Sequence, residues 1–173
     1  MDCRSITEKC AQMIATTIGD DRSKLVQELE KVLIALPNGS VINDAAVEKY
    51  MGISKDYNVF ELQRAIGKKD LVKCSRIMQH FEANPKTAPI QMIVPLLYRY
   101  IVNLMIHIQN PSATKNPYAA REYDEVARNY TLPKLAKCVE YLHDADMKSK
   151  GVGNTGTITD GEILKELIFK ITH

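Results

Sequence analysis

The sequence carries no surplus of charge of one sign. Across 173 residues, 23 Lys and Arg stand against 21 Asp and Glu, for a formal charge of +2. A protein that wraps duplex DNA usually has a clear basic excess to neutralise phosphates. Any nucleic-acid contact here is therefore expected to be local or supplied by neighbours. Cysteines are few and scattered: Cys3, Cys10, Cys74 and Cys138 include no C-x-x-C pair. That excludes a disulfide framework and a zinc ribbon, and fits reduced thiols in a cytoplasmic protein. Each reads as a small buried hydrophobe on a helix. No signal-peptide pattern opens the chain. An uninterrupted membrane span is also missing, because the longest apolar stretch, APIQMIVPLLYRYIVNLMIHI, holds Gln91, Arg99, Asn103 and His107. An arginine near mid-membrane is costly, so the stretch reads as a core helix.

Strict apolar–polar alternation is lacking too, and with it the pattern of half-buried strands. What the chain does have is apolar residues returning at three and four, with good helix start and stop signals. Ser5 and Glu8 form a capping-box pattern ahead of a helix over 6–18. Asp20 or Asp21 can cap a second helix with the stripe Leu25, Leu29, Val32, Leu33 and Leu36, stopped by the Pro-Asn-Gly at 37–39. Asn43 caps a short third helix ending near Gly52. After the connector GISKDYN, helices are expected over about 59–66 (stopped by Gly67), about 70–83 (Leu71, Cys74, Met78 and Phe81 on one face) and about 89–109. Pro95 is expected to kink the last of these. Asn116-Pro117 opens the next helix as cap and first turn. A segment burying Leu135, Val139 and Leu142 follows, and Thr159 with Glu162 caps a final helix bearing Ile163, Leu164, Leu167, Ile168 and Ile171. The expected architecture is all-α: a three-helix unit over 1–54, then a five- to six-helix bundle over 58–173.

Catalytic patterns are thin. Residues 151–156 read G-V-G-N-T-G and match the G-x-G-x-x-G of dinucleotide loops. That loop needs a preceding strand and a following βα unit, yet the preceding segment is helical and only 17 residues follow Gly156. It reads as a connection between helices, with no cofactor. His143, Asp144 and Asp146 have no metal-ligand spacing, and His80, His107 and His173 lack an H-E-x-x-H neighbour. A nucleophile elbow and a phosphate-cradling G-x-x-x-x-G-K-[ST] are absent. No catalytic or metal site is assigned.

Two features point to binding instead. On the apolar 89–109 helix, Gln91, Arg99, Asn103 and His107 fall at multiples of four and form one slowly winding stripe. It is either the solvent-facing strip or a subunit contact in which Arg99, with Tyr98 or Tyr100, is an anchor and Asn103 a polar neighbour. The second feature is AVEKYMGISKDYNVFELQRAI, which has the outline of a helix-turn-helix DNA reader. Its second apolar anchor, Val59, comes about one residue late, and beyond Arg64 the second helix has little to grip phosphate.

The same residues carry a resemblance. A Gly19-Asp20 pair, the Leu25–Lys31 run LVQELEK, Ile42-Asn43, a short helix to Gly52-Ile53-Ser54, then Asn58-x-Phe60-Glu61-Leu62 and Ala65-Ile66-Gly67-x-Lys69-Asp70 occur in order. With PIQMIVPLLYRYIVNLMI and GEILKELIFKI they resemble the C-terminal half of the δ subunit of the clamp loader of bacterial DNA polymerase III. The resemblance implies a three-helix lid of AAA+ type followed by a helical collar through which loader subunits (γ/τ and δ′) form a ring. It implies that the parent serves a DNA-directed DNA polymerase, a nucleotidyltransferase, while the δ family has no working ATP site. A preceding clamp-gripping domain is missing here, so the chain is expected to be a fragment that meets the sliding clamp and DNA only indirectly, and no membrane. Gly52, Asn58, Phe60 and Leu62 would form the lid–collar junction, with Phe60 and Leu62 seated in the collar core. Tyr98, Arg99 and Asn103 are the candidate subunit contacts.

Overall fold

The computed structural model describes residues 5–18, 21–85, 88–152 and 158–173, and the chain divides into two compact units, Met1–Asn58 and Val59–His173. Among the described residues the fold is all-α apart from one two-residue parallel ladder.

The first unit holds α1 (Glu8–Ile18), α2 (Arg22–Ala35) and α3 (Asp44–Met51), with β1 (Ser5–Ile6) paired to β2 (Val41–Ile42). This pairing corrects the expected capping box. Ser5 and Ile6 lie in the ladder, so α1 starts at Glu8 and the cap is Thr7, whose Oγ1 accepts from the Cys10 amide at 3.3 Å. Asp21 and Asn43 cap α2 and α3 through the amides of Lys24 and Ala46. Gly19 and Asp20 lie outside the described residues. Gly52 ends α3 at φ 71°, a left-handed conformation that glycine takes without strain. Cys10, Ile14, Val32, Ile42 and Val47 fill the core, flanked by Leu25, Leu29, Leu33 and Leu36. The Cys10 thiol donates to Asp44 Oδ1 at 3.0 Å and ties α1 to α3.

The second unit is built on α6 (Ile90–Gln109), which touches α4 (Val59–Gly67), α7 (Pro117–Val126) and α8 (Leu132–Ser149); α5 (Leu71–Ala83) and α9 (Asp160–Thr172) complete it. Leu62, Ile77, Ile93, Leu97, Leu104, Leu135 and Ile168 are wholly enclosed. Pro95 sits within α6 without ending it. It is exposed, like Gln91, whose carbonyl loses its helical partner and faces water. On α5 the buried face is Cys74, Ile77 and Phe81; Leu71, expected there, is 44% exposed because it opens the helix beside the cap. Asn116 caps α7 with Pro117 in the first turn, and Thr159 and Glu162 close a reciprocal capping box on α9.

Gly67 ends α4, as expected, and does more than that. It is the last residue of the helix, and the chain leaves in a Schellman turn: the Asp70 amide reaches Ala65 O and the Lys69 amide reaches Ile66 O, both at 2.9 Å. Lys69 takes the left-handed position at φ 55°, at a cost of roughly 1–2 kcal/mol for a residue with a Cβ. Gly67 itself is packed. A Cβ there would lie 2.6 Å from Val126 Cγ2 and 2.7 Å from the Tyr100 hydroxyl. The end of α4 is fastened from α7's far side, where the Tyr130 hydroxyl donates to Ile66 O at 2.8 Å and Asn129 Nδ2 to Gly67 O at 2.9 Å.

The Tyr100 hydroxyl is buried with no hydrogen-bond partner among the described residues, and burial pushes its phenol far above the ordinary range. Gly67→Ala is expected to destabilise the chain by about 1–3 kcal/mol through overpacking. Tyr100→Phe is expected to stabilise it by about 1 kcal/mol by removing the unpaired group. Denaturant titration of the two variants reads both signs. Burial also raises the thiols of Cys10, Cys138 and Cys74, the last to about 11. At pH 8 all three are expected to resist alkylation until denaturant is added, as peptide mass mapping would show.

Candidate subunit-contact face

Arg99, Tyr98 and Asn103 lie together on the exposed side of α6, but the stripe they belong to does not stay there. Positions four apart advance about 40° around a helix. Gln91, Pro95, Arg99 and Asn103 are exposed; four steps from Gln91 the stripe has turned by about 160°, and His107 points inward, 2% exposed. The expectation that His107 shares a surface strip with Arg99 is therefore corrected.

His107 is a fastener. Its Nδ1 lies 3.0 Å from Thr114 Oγ1 and its Nε2 3.0 Å from Asp124 Oδ1. Nε2–H donates to the carboxylate and Nδ1 meets the threonine hydroxyl, so both ring nitrogens are partnered. Thr114 follows a short 3₁₀ turn (Pro111–Ala113), and Asp124 belongs to α7. One buried ring thus pins that connection and α7 to α6. Hydroxyl, imidazole and carboxylate are in line, but the ring is enclosed and has no nitrogen left to take a proton from a substrate. Tyr123 packs beside it, its ring 5.5 Å from His107 and 5.8 Å from Tyr100. Burial raises the Tyr123 phenol, against a hydrogen bond to Asn103 and the nearby charge of Arg99. Asn103 therefore ties the flank of α7 to α6 as well as facing solvent.

The exposed face has a feature that the polar stripe concealed. Tyr98 and Ile106 are 48% and 46% exposed, with half-buried Val102 midway between them. Three apolar residues at i, i+4 and i+8 make a ridge of the kind that packs into another helix's groove. Arg99 is the one Lys or Arg on α6, and it has no carboxylate partner among the described residues. Its spacing was legible; its exposure was not, since α6 is apolar nearly all round.

The four junction residues divide. Gly52 caps α3, and Asn58 is nearly enclosed, its amide donating to Ser54 O at 2.9 Å and Lys55 O at 3.0 Å. Leu62 is wholly buried, but Phe60 is only half-buried, a departure from the expected core seat. Val59, Leu62 and Ile66 point into the second unit's core, while Phe60 and Arg64, four apart, share the opposite side.

The connector counts against the DNA-reading motif. Seven residues separate α3 from α4, against three or four in a helix-turn-helix, and the two helices belong to different compact units. Arg64 is engaged by Glu61 at 3.0 Å and Glu122 at 3.3 Å, and Glu61, 8% exposed, also takes Lys73 at 2.7 Å. This network joins α4, α5 and α7 and leaves α4 nothing to offer a phosphate. Of the terminal glycine pattern, Gly151 turns out of α8 at φ 80°, and 153–156 lie outside the described residues. His143 and Asp144 are exposed, Asp146 pairs with Lys150, and no three potential metal ligands cluster among the described residues.

No family model matches the sequence, and no curated protein matches it. Among solved structures the chain is similar to the Bacillus subtilis DNA clamp loader delta protein (YqeN), with a TM-score of 0.58 and 18% sequence identity. The similarity covers 98% of this chain and 51% of that one, so the chain spans about half of its length. The fold is clamp-loader-like.

That likeness belongs to the backbone; at 18% identity it leaves open what the side chains do. Leu62→Ala is expected to cost about 2–5 kcal/mol. Phe60→Ala, at its partly buried position, is expected to cost clearly less, and paired denaturation curves give the order.

Proposed function

We propose that this chain is the lid and collar portion of a clamp-loader δ subunit, a non-catalytic scaffold that assembles with sister subunits of the loader. The fold likeness along nearly the whole chain carries this reading. The ordered residues from Leu25 to Asp70 support it from the sequence side, as does the division into a three-helix and a six-helix unit near residue 58. Met1–Asn58 is the lid in this reading and Val59–His173 the collar. The connector from Gly52 to Asn58 is the joint between them.

The collar's partners are loader subunits of the γ/τ and δ′ kind, met through the exposed side of α6, where Arg99, Tyr98 and Asn103 lie. The sliding clamp is reached through a further domain of the whole protein, and primed DNA only through the assembled loader. The parent acts in the cytoplasm as part of a DNA polymerase holoenzyme, and this portion performs no chemistry. An apolar helix face with one uncompensated cation suits a protein partner, because interface cores are apolar and arginine is enriched among their anchors.

Mixing the chain with γ/τ and δ′ and measuring complex mass tests the reading directly; a stable complex is expected, and none at high micromolar concentration would end it. Arg99→Glu is expected to weaken that complex by at least about tenfold while leaving the melting temperature unchanged. Titration with duplex DNA at two salt concentrations is expected to show weak binding; tight binding with a steep salt slope would favour a DNA-binding regulator instead.

A further inference from the structure

We infer that the exposed face of α6 is a twofold contact through which two copies of this chain pair, α6 against α6 in antiparallel sense, centred on Val102. The inference rests on the geometry of α6 and α7 and not on the clamp-loader reading, and a loader subunit bound to the same face displaces the second copy. Tyr98 and Ile106 stand four residues to either side of Val102, and both are about half exposed. A twofold axis through Val102, perpendicular to the helix, sets Tyr98 of each copy on Ile106 of the other and Val102 on itself. The ridge is thus its own complement, as an isologous interface requires.

The charges select the same arrangement. Between Ile90 and Gln109 the sequence has one permanently charged side chain, Arg99, and it has no carboxylate partner among the described residues. Asp124 of α7 is 66% exposed, and its Oδ1 bonds His107 Nε2 at 3.0 Å, which fixes it level with His107 along α6. Arg99 and Asp124 lie on the same flank, because α7 runs beside α6 there, with Asn103 and His107 both meeting it. A twofold axis perpendicular to α6 keeps the two flanks together and brings the level of His107 in one copy to that of Leu97 in the other. Arg99 of one copy then stands about 3 Å along the axis from Asp124 of the second. The pairing occurs twice. The other residues on the exposed strip of α6, Gln91, Pro95 and Gln109, are uncharged.

Sedimentation velocity of the whole chain from roughly 1 µM to roughly 500 µM is expected to show a monomer passing to a dimer. Arg99→Asp is expected to raise the dimer dissociation constant at least about tenfold, because it sets carboxylate against carboxylate. Register is read by cysteine cross-linking in a Cys3→Ser background. Val102→Cys brings two thiols together on the axis and is expected to give a disulfide-linked dimer on mild oxidation. Gln91→Cys places them roughly 30 Å apart and is not. A wild-type chain that stays monomeric throughout, an Arg99→Asp chain that dimerises as well as wild type, or cross-linking no better at 102 than at 91 would each overturn the inference. Loss of the dimer would leave assembly with loader subunits untested by that experiment, since the latter is measured only with those subunits present.

Discussion

A twenty-residue helix as apolar as α6 must be covered, and the Val59–His173 unit is organised by that demand. By length and composition α6 could cross a membrane. Instead α4, α7 and α8 pack on it, and its buried residues Ile90, Ile93, Leu97, Ile101 and Leu104 occupy one side. The cover is incomplete. Tyr98, Val102 and Ile106 remain along the opposite side, around an arginine with no carboxylate partner among the described residues. An apolar ridge left open on the central element of a domain is where binding to another protein costs least desolvation and gains most.

Two close approaches hold the cover in place. Gly67 lets the end of α4 come down on Tyr100 and Val126, where any side chain would collide. His107 then fixes the last turn of α7 through Asp124 and the connection before it through Thr114. Both depend on α6, and both set the flank on which Arg99 sits. The surface chemistry of the helix is thereby coupled to packing: the residues that would recognise a partner are positioned by a glycine and a histidine that touch no partner.

The charged groups follow the same logic at the seam between α4, α5 and α7. Glu61 is nearly enclosed, and Lys73 and Arg64 converge on it. A lone buried carboxylate would be costly, so the three residues act together to orient α4. In sequence, Arg64 and Glu61 had the outline of a surface reading helix; in the fold, they are occupied with one another. Helix outline alone does not distinguish a recognition helix from a core helix.

Helix existence and the caps were legible in the sequence, because both are local. Asp21, Asn43, Asn116 and the Thr159–Glu162 pair satisfy backbone amides within three residues, and the apolar set of α9 was read without error. What failed was whatever required a distant neighbour. Ser5 lost its cap because Val41 recruits its backbone into a ladder, and Phe60 lost its core seat because Val59 and Leu62 face the bundle more squarely. Gly67 read as a stop, which it is, but its contact with residues 33 and 59 positions away was not legible. His107 read as surface and proved to be a clasp, since an apolar helix does not announce which arc its neighbours will cover. The sequence by itself determined the helices, their ends and the all-α class, through interactions spanning one turn. Only the tertiary structure decided which arc of α6 stays open, because that depends on where α4, α7 and α8 come to rest.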